Sequence, residues 1–262
     1  MMLENKVAVV YGAGGDIGGA VARAFAREGA KVFLSGRTLR RVEAVAADIK
    51  ASGGAAEAAE VDALDELAVE RYVGAVAERA GGIDISFNAI ATAKPLPKLP
   101  LTELSAEDFT LPITTYALTN FLTARSAARR MVVKRSGVIL TITGTPGRMG
   151  FLNVGGTSPA YAAVVALTRT LSAELGPQGV RVVCLMPNAI PETALIRESF
   201  GRYAKAAGVT QAEFQARFEG MTHTRRLTTL EELAKTAVFL ASDHAAAMTG
   251  TVANLSGGAV VD

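Results

Sequence analysis

The chain predicts a doubly wound α/β fold, a parallel sheet of about seven strands with helices on both faces. Short β-branched runs, KVAVVYG, KVFLSG, AAEAAEVD, IDISFNA, GVILTIT, RVVCLMP and TVANLS, are separated mostly by longer amphipathic stretches, the rhythm of strands and crossover helices. Val138 to Thr143 is apolar almost throughout rather than alternating, as expected of a strand covered on both faces. A glycine-rich turn joins the first strand run to the first helical stretch. Ligands on such sheets bind beyond the carboxyl ends of the strands, at the switch in strand order. The turns after Val10, Leu34, Phe87, Ile142 and Leu185 should therefore converge on one site.

Length and composition narrow the function classes. With 262 residues, half of them hydrophobic, the chain can bury one sizeable core, and a single domain over residues 1–262 is expected. The net charge of +2 is small, and no stripe of lysine and arginine would track the phosphates of a nucleic acid. MMLENKVAVV has no cleavage-site pattern, and no apolar segment approaches the roughly 20 residues of a membrane span. A soluble cytoplasmic chain is expected, with neither a nucleic acid nor a membrane as partner. Cys184 lies inside VRVVCLMP and reads as a buried thiol; His223 and His244 sit far apart, so no metal site is expected.

Two segments break the rhythm. Ala91 to Ser105 holds three prolines and should be an extended excursion near the site. Residues 187–230 insert short helical text such as TQAEFQARFEG between a strand and its helix, the length of a functional lid.

The first βαβ unit reads KVAVV, then YGAGGDIGGAVARAFAREGAKVFLSGR. Glycines between a strand and a helix let a backbone approach a pyrophosphate, which then sits at the positive end of the helix. Asp16 precedes Ile17 and can cap the helix by accepting bonds from its first free amides. Those are the amides a pyrophosphate would use, so Asp16 either competes with the cofactor and weakens its binding or turns to solvent and leaves binding normal. After the second strand, SGRT offers Arg37, with Arg40 and Arg41 a turn on, and no acid for a free ribose hydroxyl. That set suits a 2′-phosphate, hence NADP(H) over NAD(H).

The stretch from Gly137 to Leu175 joins a buried strand, a glycine-rich loop and a long helix. Together with the glycine turn and the closing EELAKTAVFLASDHAAAMTGTVANLSGG, it resembles the short-chain dehydrogenase/reductase family over essentially the whole chain. The resemblance implies a Rossmann-like fold and hydride transfer between a nicotinamide and a small carbonyl or alcohol. Gly12 and Gly18 match the family's glycine motif, while Tyr11 replaces its threonine and Asp16 its middle glycine. The resemblance brings Gly12, Gly15, Asp16, Ile17, Gly18, Arg37, Asp62, Ala63, Asn88, Ala89, Ile90, Thr143, Tyr161, Pro187 and Ile190 to the cofactor. Ile90 and Asn188 stand where the family has glycine.

The catalytic positions all differ. Gly144 falls on the family's serine, Thr157 on its tyrosine, Tyr161 on its lysine and Tyr116 on its asparagine. A free phenol, with a pKa of about 10, is a poor base near neutrality unless a cation or hydrogen bonds stabilise its anion, and Val165 supplies no cation four residues beyond Tyr161. Tyr161, Thr157 and Tyr116 are the remaining candidates for proton transfer, and Pro112 should kink the helix that carries Tyr116. Two readings stay open. One is an atypical NADP-dependent oxidoreductase; the other is the same fold without redox activity, as a binding or regulatory subunit or a non-redox enzyme. A homo-dimer or homo-tetramer is implied by the family, through ARSAARRMVVKRS and ALTRTLSAEL.

Overall fold

Seven strands form one sheet in a computed structural model that describes residues 1–92 and 96–261. They are β1 (Val7–Tyr11), β2 (Lys31–Gly36), β3 (Ala55–Glu60), β4 (Ile85–Asn88), β5 (Gly137–Ile142), β6 (Val180–Pro187) and β7 (Val252–Leu255). Their order is β3-β2-β1-β4-β5-β6-β7 and every pairing is parallel. The order reverses between β1 and β4, where Val10 pairs with Phe87 and Tyr11 with Asn88, so the ligand crevice of this fold opens beyond those residues.

Alternate residues of the strands face opposite layers. Ala8, Val10, Leu34, Phe87, Leu140 and Leu185 pack on α1 (Asp16–Arg27), α2 (Leu39–Ala51) and α9 (Leu230–Ala241). Val9, Tyr11, Phe33, Ile139 and Val182 pack on α3 (Glu66–Ala80), α5 (Thr119–Lys134) and α6 (Thr157–Leu175). Burial on both faces is what the continuous apolar text of β1 and β5 requires. Within the second layer the hydroxyls of Tyr11, Ser35 and Tyr72 are buried.

Two local features position the site. Pro112 lies inside α4 (Ala106–Ile113), and the helix then widens into a π-turn over Thr114–Leu118 before α5 begins. Proline removes a ladder hydrogen bond, and a π-turn absorbs the mismatch. Residues 187–230 carry α7 (Ala194–Ala206) and α8 (Gln211–Gly220), each started by a threonine side chain accepting from a helix amide. Phe200, Phe214 and Phe218 hold the two helices together. At the start of α9, Thr229 and Glu232 form a reciprocal cap, and Arg226 pairs with both oxygens of Glu232 at 2.8 and 2.6 Å. The Arg226 hydrogen bond, and then the Thr229 amide, hold that carboxyl down to about 2.

The excursion over 91–105 lies partly outside the described residues; 96–105 forms neither helix nor strand. No helix among the described residues is long and apolar enough to cross a membrane.

Candidate active site

The glycine turn after β1 is built for close backbone approach. Gly12 has φ +68°, and a β-carbon there would lie 2.8 Å from the Ala89 carbonyl oxygen, while one at Gly18 would overlap the Gly12 carbonyl. Only glycine fits both. Gly15 is the capping residue of α1 and gives it no side-chain hydrogen bond, so the first amides of the helix face the crevice without a capping side chain. Ile17 packs on the core behind the turn.

Asp16 does not cap α1 as the sequence suggested. It is the first helical residue rather than the extended residue before it, so the capping position belongs to Gly15. Its Oδ2 instead accepts from the Ala194 amide at 2.7 Å, across 178 residues of sequence. One carboxylate thus stands beside the amino termini of both α1 and α7.

At the end of β2, Arg37 is exposed. Arg41 stands against Gly14, whose added β-carbon would meet Arg41 Cβ at 2.8 Å. After β3, the exposed Asp62 accepts from the Leu64 amide at 3.0 Å, and Ala63 is buried. After β4, Asn88 is buried; its Nδ2 donates to Thr123 Oγ1 at 3.1 Å and its Oδ1 accepts from the Ile90 amide at 3.0 Å. Asn88 therefore shapes the turn that carries Ala89 and Ile90 rather than presenting a free amide. The buried hydroxyl of Thr143 meets Cys184 Sγ at 3.5 Å. Its side chain turns toward β6, because β5 and β6 bring Thr141 opposite Cys184.

Beyond β5, Tyr161 and Gly144 are in contact, since a β-carbon on Gly144 would lie 3.0 Å from Tyr161 Cε2. Tyr116 comes from the π-turn to meet the same ring, with centroids 5.1 Å apart at 62°. Ile113, Ala160 and Val164 pack around the pair. Tyr161 and Thr92 stand beside the Tyr116 hydroxyl, close enough for hydrogen bonding from the Tyr161 side chain and the Thr92 main chain and side chain to bear on it. Burial pushes both phenols up. For Tyr116 those hydrogen bonds offset part of the rise, whereas for Tyr161 the neighbouring Tyr116 adds to it. Of the two, Tyr116 has the better-stabilised anion. Thr157 opens α6 one turn before Tyr161, its amide bonded to the Val154 carbonyl at 3.2 Å.

Pro187 ends β6, and Asn188, Ala189 and Ile190 behind it are buried. Thr145 donates to Asn188 Oδ1 at 3.2 Å, which leaves Asn188 Nδ2 buried and unpaired. The α7–α8 segment packs on the loop before α6: Phe151 stacks on Phe218 at 6.1 Å, and the Tyr203 hydroxyl donates to the Leu152 and Asn153 carbonyls at 3.4 Å. No group of three or more metal-ligating side chains occurs among the described residues.

Known proteins share this fold. The family described as enoyl-(acyl carrier protein) reductase matches residues 12–260. The chain is 30% identical to D-threitol dehydrogenase of Mycolicibacterium smegmatis over 98% of its own length and 93% of that protein's. Sorbitol-6-phosphate 2-dehydrogenase of Erwinia amylovora has the same fold, with a TM-score of 0.91 and 28% identity over 97% of this chain and all of that one. An actinorhodin polyketide ketoreductase variant with NADPH superposes with a TM-score of 0.89 and 26% identity, covering 97% of each chain.

The chain belongs to the short-chain dehydrogenase/reductase family. This short-chain dehydrogenase/reductase brings Tyr116, Tyr161 and Gly144 together and leaves Thr157 at the helix entrance. Sequence reasoning missed Thr92, whose contact with Tyr116 depends on how the chain leaves β4. It also missed Asn120, whose Nδ2 donates to the Tyr116 carbonyl at 2.9 Å.

Proposed function

We propose that this protein is an NADP(H)-preferring oxidoreductase that interconverts a small carbonyl compound and its alcohol, with the Tyr116–Tyr161 pair moving the proton. The observation that carries this reading is the uncapped amino terminus of α1 over the cradle of Gly12 and Gly18, which fits a pyrophosphate. Arg37 and Arg41 suit a 2′-phosphate. Asp62 and Ala63 line the adenine end, Asn88, Ala89 and Ile90 the ribose side, and the Thr143 main chain, Pro187 and Ile190 the nicotinamide. The relatives named for polyols support a hydroxyl-bearing substrate.

When bound, the dinucleotide supplies or accepts the hydride. The chain's own part is the proton. Tyr116 donates its hydroxyl proton to the developing alkoxide while Tyr161 and Thr92 stabilise the phenolate left behind. Thr157 and the Asn188 amide are the polar groups that orient the substrate in place of the serine absent at Gly144. Cytoplasmic residence and pairing into a homo-dimer or homo-tetramer belong to the same reading, with α5 leaving Phe121 and Val133 exposed for the contact.

One observation favours a second reading, the same fold without redox activity. Asp16 places a negative charge between two helix amino termini, where a pyrophosphate would need to sit. Rapid-mixing measurement of NADPH oxidation against a set of small aldehydes and ketones separates the two. The first reading expects turnover that falls by about 100-fold or more in Tyr116→Phe and by about tenfold in Tyr161→Phe. No oxidation with any carbonyl, in a protein that remains folded, supports the second.

A further inference from the structure

We propose that Lys98 and Arg202 form a subsite for an oxyanion, a carboxylate or a phosphate group, at the end of the substrate remote from the reacting carbon. The proposal rests on the reading above that this cleft holds a substrate, and it names the chemical class.

The two cations lie on adjoining segments, Lys98 in the excursion after β4 and Arg202 on α7. Arg202, on α7, donates through Nη1 to the Leu96 carbonyl at 3.4 Å. Lys98 Nζ stands 5.1 Å from the ring centroid of Tyr203, the next residue of α7. Their countercharge is incomplete. Arg202 has Glu198 at 3.6 Å, a turn back on the same helix with more than half its side chain exposed, and Arg202 Nε is buried with no acceptor among the described residues. No carboxylate lies within 4.0 Å of Lys98 among the described residues. Burial, and then the Arg202 charge, push the Lys98 ammonium below its ordinary pKa, the behaviour of two cations held together without an anion between them.

The segments that carry the pair adjoin those that carry the phenols. Tyr203 reaches the Leu152 and Asn153 carbonyls in the loop that leads into Thr157 and Tyr161. The strand exit that carries Lys98 begins with Thr92 against Tyr116. A substrate whose carbonyl meets Tyr116 would therefore extend toward Lys98 and Arg202. An oxyanion there would satisfy the orphaned Nε and neutralise the two charges, because a guanidinium presents paired donors and an ammonium a compact one. A neutral hydroxyl would leave both charges unbalanced.

Calorimetric titration of the full chain with inorganic phosphate, and separately with acetate, tests this in an Arg37→Gln background that silences the proposed 2′-phosphate site. Saturable binding of at least one anion is expected, weakened about tenfold in both Lys98→Gln and Arg202→Gln. The tighter anion tells phosphate from carboxylate. In protein whose lysines are methylated with ¹³C, the Lys98 resonance should titrate at a higher pH when the anion is present. Binding of neither anion, or binding unchanged in both variants, overturns the subsite. NADPH quenching in protein with Arg37 intact reports the cofactor separately. Anion binding without NADPH binding removes only the redox reading; NADPH binding without anion binding removes only the subsite.

Discussion

The ring of Tyr161 fills the space that a side chain on residue 144 would need, because a β-carbon there would stand 3.0 Å from Cε2 of Tyr161. Positions 144 and 161 are therefore sterically coupled. Crowding at this distance is relieved by shifting one partner. Gly144→Ser alone should cost about 1 kcal/mol of stability, and the same substitution beside Tyr161→Lys should cost about half as much or less. Denaturant unfolding of the four proteins of the cycle measures the coupling, and additive costs would show that the two positions are independent.

Burial raises both phenols of the pair, so each stays protonated through neutrality and is poised to donate. Carbonyl reduction should then keep a level kcat/KM from about pH 6 to 9. Alcohol oxidation, which needs the phenolate, should climb with pH up to at least about pH 10. A plateau in the oxidation profile near neutrality would mean that another group is the base.

The same direction affects stability. Tyr11, Tyr72, Tyr116 and Tyr161 all have folded pKa values above the ordinary value of 10.0, chiefly from burial. A group raised on folding contributes stability that is complete below its unfolded pKa and is lost above it. Resistance to urea should therefore decline as pH rises past about 10. Stability that holds steady through this range would contradict the buried, protonated state of these four rings.

Asp16 links the glycine turn to the start of α7 through the Ala194 amide. Replacing it removes a charge from beside two helix amino termini, where an anion gains about 1 kcal/mol or somewhat more. Asp16→Gly should bind NADPH about tenfold more tightly. In hydrogen exchange without cofactor, the Ala194 amide should lose protection in the variant. Unchanged NADPH affinity would show that the carboxylate does not compete with the pyrophosphate.

All seven strands and the glycine turn were legible because their signals are local: β-branched runs, and glycines between a strand and a helix. The helix over Gln211–Gly220 was legible for the same reason, and Pro112 announced the widened turn that follows it. What the sequence hid is long-range. The capping reading of Asp16 considered only its own helix, whereas its partner lies 178 residues away. Thr143 pairs with Cys184 only because of the register between β5 and β6. The contact of Thr92 with Tyr116 likewise depends on two segments meeting in space.

Fluorescence titration of the full chain with NADPH and with NADH tests the central claim most directly. Saturable quenching by NADPH, about tenfold or more tighter than by NADH and reduced to parity in Arg37→Gln, is the predicted result. No saturable binding of either dinucleotide, by the wild-type chain and by Asp16→Gly alike, would contradict it.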